Sequence, residues 1–362
     1  MRTCRPKQIC KRAGDMTEAV FAIPGDKDRR TGGFIYEATV LRVLNEIGCA
    51  TRHLELPAGF PDPDATDMTD ALTALRAVPP DCPIILDGLV FGAIDPAGLA
   101  EVRAPVIAMI HHPLGLETGL DAARAAFLLQ NETAALRHAA HVIVPSPETA
   151  RVLVRDFGAE DAKTTVAPPG FDRPKLARNP IQPKLILSVG LLAARKGHDV
   201  LLDALAQIRH LPWQAEIVGK THDPAVAQAL RSQSAALGLE ERVRFAGELD
   251  RPALTQRFGS ASIFALATRY EGYGMVLGEA MTFGLPIVST TAGAVPDTVG
   301  GAGLLVPADD ATAFAGALAA LLEDPGEAQR LAELALERSA RLPSWRQTAE
   351  IFARTIRLLR SV

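Results

Sequence analysis

The feature that most limits what this chain can fold into is an apolar run at residues 262–267. It empties into a Gly-rich turn, followed by a helical pattern from about Met275 to Gly284 and a second apolar run at 286–289. Short apolar runs bounded by turn residues read as strands, so the stretch is strand, loop, helix, strand. Glu271 falls in the loop and Glu279 one turn into the helix, with Gly272 and Gly274 between them. The glycines leave the backbone free to approach a ligand closely, and the start of a helix offers unpaired N–H groups. Two acids beside such groups suit a phosphorylated sugar, and taken alone they suit a solvated surface loop equally well.

The same alternation runs through both halves. In the first, a strand at 19–23 leads through a loop to a helix from about residue 35 to 48, with Gly32 and Gly33 at the handover, where an anion can approach the helix N-terminus. Further strands are expected at 84–86, 106–110, 141–144 and 166–168, with a helix at 120–138 and another opened by Ser146 and Pro147. Residues 169–183, rich in proline and polar side chains, form the best linker. The second half restarts with a strand at 185–189, a helix at 199–208, a strand at 215–218, a helix at 224–237, a strand at 243–246 and a short helix at 252–258. After the 262–289 stretch come a strand at 303–306 and helices at 311–322 and 325–338. The fold class implied is α/β, with two Rossmann-like, doubly wound parallel sheets. A last helix at 344–359 carries Ile351, Phe352, Ile356 and Leu359 at helical spacing, a stripe that must pack on something.

A length of 362 residues fits two such domains, and 48% hydrophobic with 22% charged residues is ordinary for a soluble α/β chain. The 38 basic and 42 acidic side chains leave neither half basic, which argues against nucleic acid and against an obligatory anionic membrane as partners. No run reaches the length of a membrane span. Cys4, Cys10, Cys49 and Cys82 show no CxxC pairing, so a reducing compartment without a zinc site is expected. Residues 1–15 carry five basic side chains but no apolar core, which fits a disordered tail rather than a secretory signal and makes Met16 a candidate start. Asp62 and Asp64 form a DxD pair, but Pro61 and Pro63 beside them mark turn chemistry, so no metal is assigned there. Asp87 and the pair His111 and His112 stand at strand ends, where open α/β sheets bind ligands. Side chains alternate along a strand, so one of the two histidines is expected to be structural, and the sequence does not choose between them.

At this point the motifs resemble a family. The stretch from Tyr270 to Thr290, with seven residues between Glu271 and Glu279, resembles the C-terminal signature of the retaining GT-B glycosyltransferases, family 4 in particular. The segment from Ser188 is similar to that family's donor-phosphate segment, and VRFAGEL from Val243 to its nucleotide loop. The likeness is dense over roughly residues 185 to 310 and thin in the first half. It implies that Glu279 holds the ribose of a nucleotide, that Glu271 faces the transferred sugar, and that backbone N–H groups of Gly272, Tyr273, Gly274, Met275 and Val276 bind sugar and distal phosphate. By the same resemblance Gly190 opens the phosphate loop, Lys196 neutralises the diphosphate, and Gly247, Glu248 and Leu249 line the base. The family often carries Arg directly after the strand glycine; here Leu191 stands in that place, and Arg195 is expected to supply the second charge.

The resemblance further implies an acceptor domain at 16–175, a donor domain at 176–343, and residues 344–362 crossing back onto the first domain. The cleft between would bring Gly33, His111 and His112 to the donor. The activity implied is metal-independent transfer of a hexose, without a cofactor, from a UDP-, GDP- or ADP-linked sugar to a lipid, glycan or small metabolite. The location implied is the cytoplasm, with membrane contact at most peripheral at the inner face. The competing readings are a non-catalytic sugar-nucleotide-binding protein and another GT-B enzyme such as a nucleotide-sugar epimerase.

Overall fold

A computed structural model of the chain describes residues 17–173 and 178–360. The expected tail, the candidate start at Met16, Cys4 and Cys10, and four residues of the Pro-rich connection lie outside them.

Six parallel strands make the first sheet: β1 (Ala19–Pro24), β2 (Thr51–Leu56), β3 (Ile84–Asp87), β4 (Val106–Met109), β5 (His141–Val144) and β6 (Thr164–Val166). Their order is β2-β1-β3-β4-β5-β6. Around them lie α1 (Gly32–Glu46), α2 (Ala65–Arg76), the short α3 (Gly88–Phe91) and α4 (Pro96–Leu99), α5 (Ala122–Leu136) and α6 (Pro147–Phe157). The second sheet holds β7 (Lys184–Val189), β8 (Trp213–Val218), β9 (Val243–Gly247), β10 (Ile263–Leu266), β11 (Ile287–Thr290) and β12 (Gly303–Val306), in the order β12-β11-β10-β7-β8-β9. Its helices are α7 (His198–Gln207), α8 (Pro224–Ala236), α9 (Arg251–Ser260), α10 (Met275–Thr282), α11 (Val295–Val299), α12 (Ala311–Glu323) and α13 (Pro325–Ala340), with α14 (Trp345–Arg360) closing the chain. All strand pairings are parallel, so every connection is a crossover and each sheet is buried on both faces.

Strand order reverses between β1 and β3 in the first sheet and between β10 and β7 in the second. A crevice opens at such points because the flanking connections leave towards opposite faces. Gly32 and Gly33 follow β1, Asp87 ends β3, Lys196 follows β7 and Glu271 follows β10, so the candidate residues collect at these two crevices.

Several local details differ from the sequence reading. The first helix starts at Gly32, with extended Thr31 before it, so both glycines belong to its first turn. The sixth strand is Thr164–Val166 rather than 166–168. Strand β2 is not legible because TRHLEL, on a sheet edge, buries only Thr51 and Leu56 and contains no apolar run. Helix α2 was hidden behind the DxD pair. Asp64 caps it, accepting from the N–H of Thr66 at 2.7 Å and of Asp67 at 2.9 Å, and Asp62 pairs with Arg124 at 2.6 Å.

The stripe on α14 packs on the first sheet, although it follows the second in sequence. Ala349, Phe352, Ala353 and Ile356 join Phe21, Tyr36, Val40, Leu44 and Ile107 in one buried cluster. Phe352 stacks on Phe21 at 6.5 Å, and the Thr348 hydroxyl donates to the Pro168 carbonyl at 2.7 Å. A buried Phe or Ile contributes about 1.5–3 kcal/mol, so this helix fastens the chain end to the first half firmly.

Candidate active site

On the side of the second sheet the site starts from Gly274. Its φ of +82° is the left-handed region, which glycine enters without a Cβ clash, and this sharp turn starts α10 with no side chain capping it. The first amide groups of α10 therefore face the crevice beside β10 with the helix dipole behind them. Gly272 answers a second constraint: a Cβ there would lie 2.2 Å from the His111 carbonyl oxygen, so only glycine lets the two halves come together at this point.

Glu271 is buried, and one carboxylate oxygen receives Lys196 Nζ at 2.6 Å and the Thr268 hydroxyl at 3.1 Å. Arg195 stands 3.8 Å from the other oxygen, held by its own bond to the Tyr270 carbonyl at 3.0 Å. The stem of Lys196 lies along Gly190, where an added Cβ would meet it at 3.2 Å. Burial pushes the Glu271 carboxyl up, but Lys196 and Arg195 outweigh it and hold it below its ordinary range. Burial lowers the Lys196 ammonium, and the Glu271 carboxylate opposes that shift. Further along α10, Glu279 is paired with Arg251 of α9.

Facing this from the first half, β4 ends at Met109, so His111 and His112 lie beyond the ladder, where strand alternation no longer sorts them. His111 turns to α1 and His112 to the loop that carries Glu117. His112 Nε2 bonds Glu117 at 2.9 Å, and the same carboxylate reaches Arg195 Nε at 2.9 Å, so Glu117 bridges the halves. Burial raises the Glu117 carboxyl, but the His112 hydrogen bond and the Arg195 charge bring it down to about 2. The Thr149 hydroxyl donates to the Gly272 carbonyl at 3.2 Å, and Arg151 pairs with Asp297 at 2.7 Å, two further ties across the crevice. His111 Nε2 bonds Glu37 of α1 at 3.1 Å, and its ring lies against Gly33 and edge-on to Tyr36. Among the described residues, Glu37, Asp87 and His111 form the one group with metal-ligand atoms within 4.8 Å of one another.

The fold thus brings Gly33, His111, His112, Gly190, Arg195, Lys196, Glu271, Gly272, Gly274, Met275 and Val276 to one crevice. The ring of Tyr273 does not point there; it is buried and stacked on Phe171 at 6.1 Å, leaving only its backbone for a ligand. Gly247 ends β9, the outer strand of the sheet, and Glu248 and Leu249 follow it, with β7 and β8 between that strand and β10. Sequence reasoning missed Glu37, Glu117, Thr149 and Arg251. The YEATV and ETGL contexts of acids on a helix or loop carry no motif, and only the partner across the crevice reveals Glu117.

Known proteins were compared against this geometry. Residues 183–324 match the family described as glycosyl transferases group 1, and residues 11–170 match the glycosyl transferase 4-like domain. An MMP alpha-(1->4)-mannosyltransferase of Mycolicibacterium hassiacum is 25% identical over 81% of this chain and 74% of its own length. A D-inositol 3-phosphate glycosyltransferase of Nocardia farcinica is 30% identical over 74% of this chain and 59% of its own. In several other curated relatives the match spans only about half of their length. Among solved structures, sucrose-phosphate synthase from Thermosynechococcus elongatus superposes with a TM-score of 0.78 at 22% identity, over 95% of this chain and 99% of that one. Anabaena HepE in complex with UDP-glucose gives 0.76 at 18% identity, over 94% and 99%. These neighbours share the two-sheet GT-B fold. With one family match on each sheet, together covering most of the sequence, the chain belongs to family 4 of the GT-B glycosyltransferases.

Proposed function

We propose that the protein transfers a hexose, with retention at the anomeric carbon and without a metal ion, from a nucleoside-diphosphate sugar to an acceptor held by the first half. The observation that carries this reading is the placement of Arg195 and Lys196 beside the uncapped start of α10 at the β7/β10 crevice. Negative charge grows on the leaving diphosphate as the bond to the anomeric carbon breaks. Two fixed cations and a helix N-terminus stabilise it in place of a divalent ion. Removing one preorganised donor of this kind costs roughly 3 kcal/mol, on the order of a hundredfold or more in rate.

In this reading Glu279 holds the ribose, with Arg251 fixing its carboxylate, and the loop at 247–249 lines the base. Glu271 faces the sugar while its ion pair keeps Lys196 aimed at the phosphates. The leaving phosphate takes the acceptor's proton on the same face that the acceptor enters, so no separate base is required. The mannosyl transfer and the inositol phosphate named for the relatives, and the UDP-glucose bound by HepE, support a nucleotide sugar as donor and a hydroxylated acceptor. Among the described residues no helix is long and apolar enough to cross a membrane. We place the enzyme in the cytoplasm with membrane contact at most peripheral, its acceptor a lipid, a glycan or a small metabolite.

The test is a thermal-shift screen of UDP-, GDP- and ADP-sugars, followed by transfer assays with the anomer of the product read by NMR. A donor at a hundred times its dissociation constant should stabilise the fold by about 2.7 kcal/mol. An inverted product overturns retention, and activity lost in EDTA and restored by magnesium overturns metal independence.

A further inference from the structure

Beneath the crevice, away from the donor cations, two carboxyl groups with no cation bonded to them are buried together. Glu37 on α1 and Asp87 at the end of β3 are almost wholly inaccessible, and each lies against His111. One Glu37 oxygen takes His111 Nε2 at 3.1 Å; the other is buried with no partner except the neighbouring Asp87 carboxyl. Asp87 Oδ1 already accepts the N–H of Leu89 at 2.8 Å and of Val90 at 3.4 Å as cap of α3. Two adjacent buried carboxyls cannot both ionise, so they share a proton. The ring of His111 is about a quarter exposed, and its Nδ1 has no partner among the described residues.

We propose that Glu37 and Asp87 are positioning residues for His111: their proton-sharing pair accepts the Nε2 proton and so leaves Nδ1 as a bare hydrogen-bond acceptor towards the crevice, where it takes a hydroxyl of the bound sugar or acceptor. The ligand's identity rests on the transferase reading above, whereas the state of the ring does not. The groups facing the pair are His111 from the loop after β4, Arg29 from the loop after β1, and Tyr36 on α1 itself. Burial, with the Asp87 hydrogen bond and the Arg29 charge opposing it, puts the Glu37 carboxyl at about 8, so the pair keeps its proton below that pH. Asp87, raised well above its ordinary value by burial and by the Glu37 charge, keeps a proton when Glu37 ionises, so the pair still shares one.

The experiment is 15N NMR of the His111 imidazole, with steady-state kinetics in parallel, on wild type, Glu37→Gln and Glu37→Leu. In the wild type Nε2 should carry the proton and Nδ1 none at neutral pH. Glu37→Gln reproduces the singly protonated pair, since its amide accepts from Nε2 and donates to Asp87. It should keep the tautomer and keep turnover within about threefold. Glu37→Leu should lose the tautomer preference and about tenfold to a hundredfold in kcat with donor KM unchanged. A wild-type ring protonated at Nδ1, a Gln variant as impaired as Leu, or stoichiometric metal in the purified protein overturns the proposal. The wild-type spectrum decides even if the Leu variant fails to fold. An absence of transfer with the expected tautomer present would defeat the transferase reading alone.

Discussion

Polar residues gather in both halves at the place where strand order reverses, yet the two gatherings are built on opposite electrostatics. Beside β10 the buried acid Glu271 is matched by Lys196 at 2.6 Å and supported by Arg195, so both partners stay ionised. Beside β3 the buried acids Glu37 and Asp87 have only a histidine, itself lowered by burial, and they share a proton instead. Burial is nearly the same in the two places; the presence or absence of a cation within bonding distance decides which acids are charged. The second half thus keeps a charged pair at its crevice, and the first keeps a proton on its buried acids.

The largest break in this comparison comes from removing the cation. Lys196→Ala should lower kcat by about a hundredfold to a thousandfold, because the diphosphate loses a fixed charge and Glu271 is left buried without its partner. A loss under threefold, measured on a variant with normal circular dichroism, would mean that the pair is structural. Next in size is Glu279→Ala. If this acid binds the ribose, calorimetry should find nucleotide affinity weakened about tenfold to a hundredfold, the cost of a lost hydrogen bond to a charged group. Unchanged affinity would confine Glu279 to its pairing with Arg251.

How readily each gathering could be read from sequence follows the same division. The donor side announces itself because its groups sit in one continuous stretch and depend on backbone geometry: Gly272, Gly274 and the start of α10 are written as consecutive letters. The facing side is assembled from α1 and the ends of β3 and β4, with Glu37, Asp87 and His111 far apart in the chain. Each is an ordinary residue in its own context, and only the parallel register brings them together. The histidines are hard to sort from sequence for a related reason: the last ladder bond is that of the Ile110 N–H to the Ile143 carbonyl at 3.0 Å, so strand alternation does not govern the two residues beyond it. Most strands and helices were legible because apolar runs and capping residues are local. Strand β2 was not, because a sheet edge tolerates polar letters.

A smaller effect sharpens the contrast through pH. Glu132 on α5 supports the histidine loop by accepting the Leu114 N–H at 3.1 Å, and burial raises its carboxyl from 4.5 to about 8. With the folded value above the unfolded one, its stabilising contribution is complete below about 4.5 and fades as pH rises through about 8. Glu132→Gln should therefore stabilise the protein by about 1–2 kcal/mol at pH 8 and change little at pH 5, read as denaturant midpoints. Glu271 has the reverse sign, its folded value being the lower, so acid should weaken the second half first. Parallel pH dependence of the two halves would contradict the division.

The smallest effect concerns the one carboxylate that belongs to both sides. Glu117 is chemically an acceptor-side residue, bonded to His112, yet it occupies the Arg195 guanidinium that the donor diphosphate is expected to need. Its carboxyl is only two-thirds shielded, and a pair so open to water is worth about 0.5–1 kcal/mol after screening. Glu117→Gln should keep the hydrogen bond to His112 while withdrawing the competing charge, so donor KM should fall about twofold to fivefold, by an amount that shrinks as salt is added. Its folded carboxyl sits near 2, below the ordinary value, so the stability it lends is present above about 4.5 and lost only in strong acid. The variant should thus lower neutral-pH stability by about 0.5–1 kcal/mol, and a fall in KM beside so small a loss reads competition rather than loosening of the fold. A rise in donor KM would reverse the assignment: Glu117 would be holding Arg195 in place for the diphosphate instead of standing where the diphosphate goes.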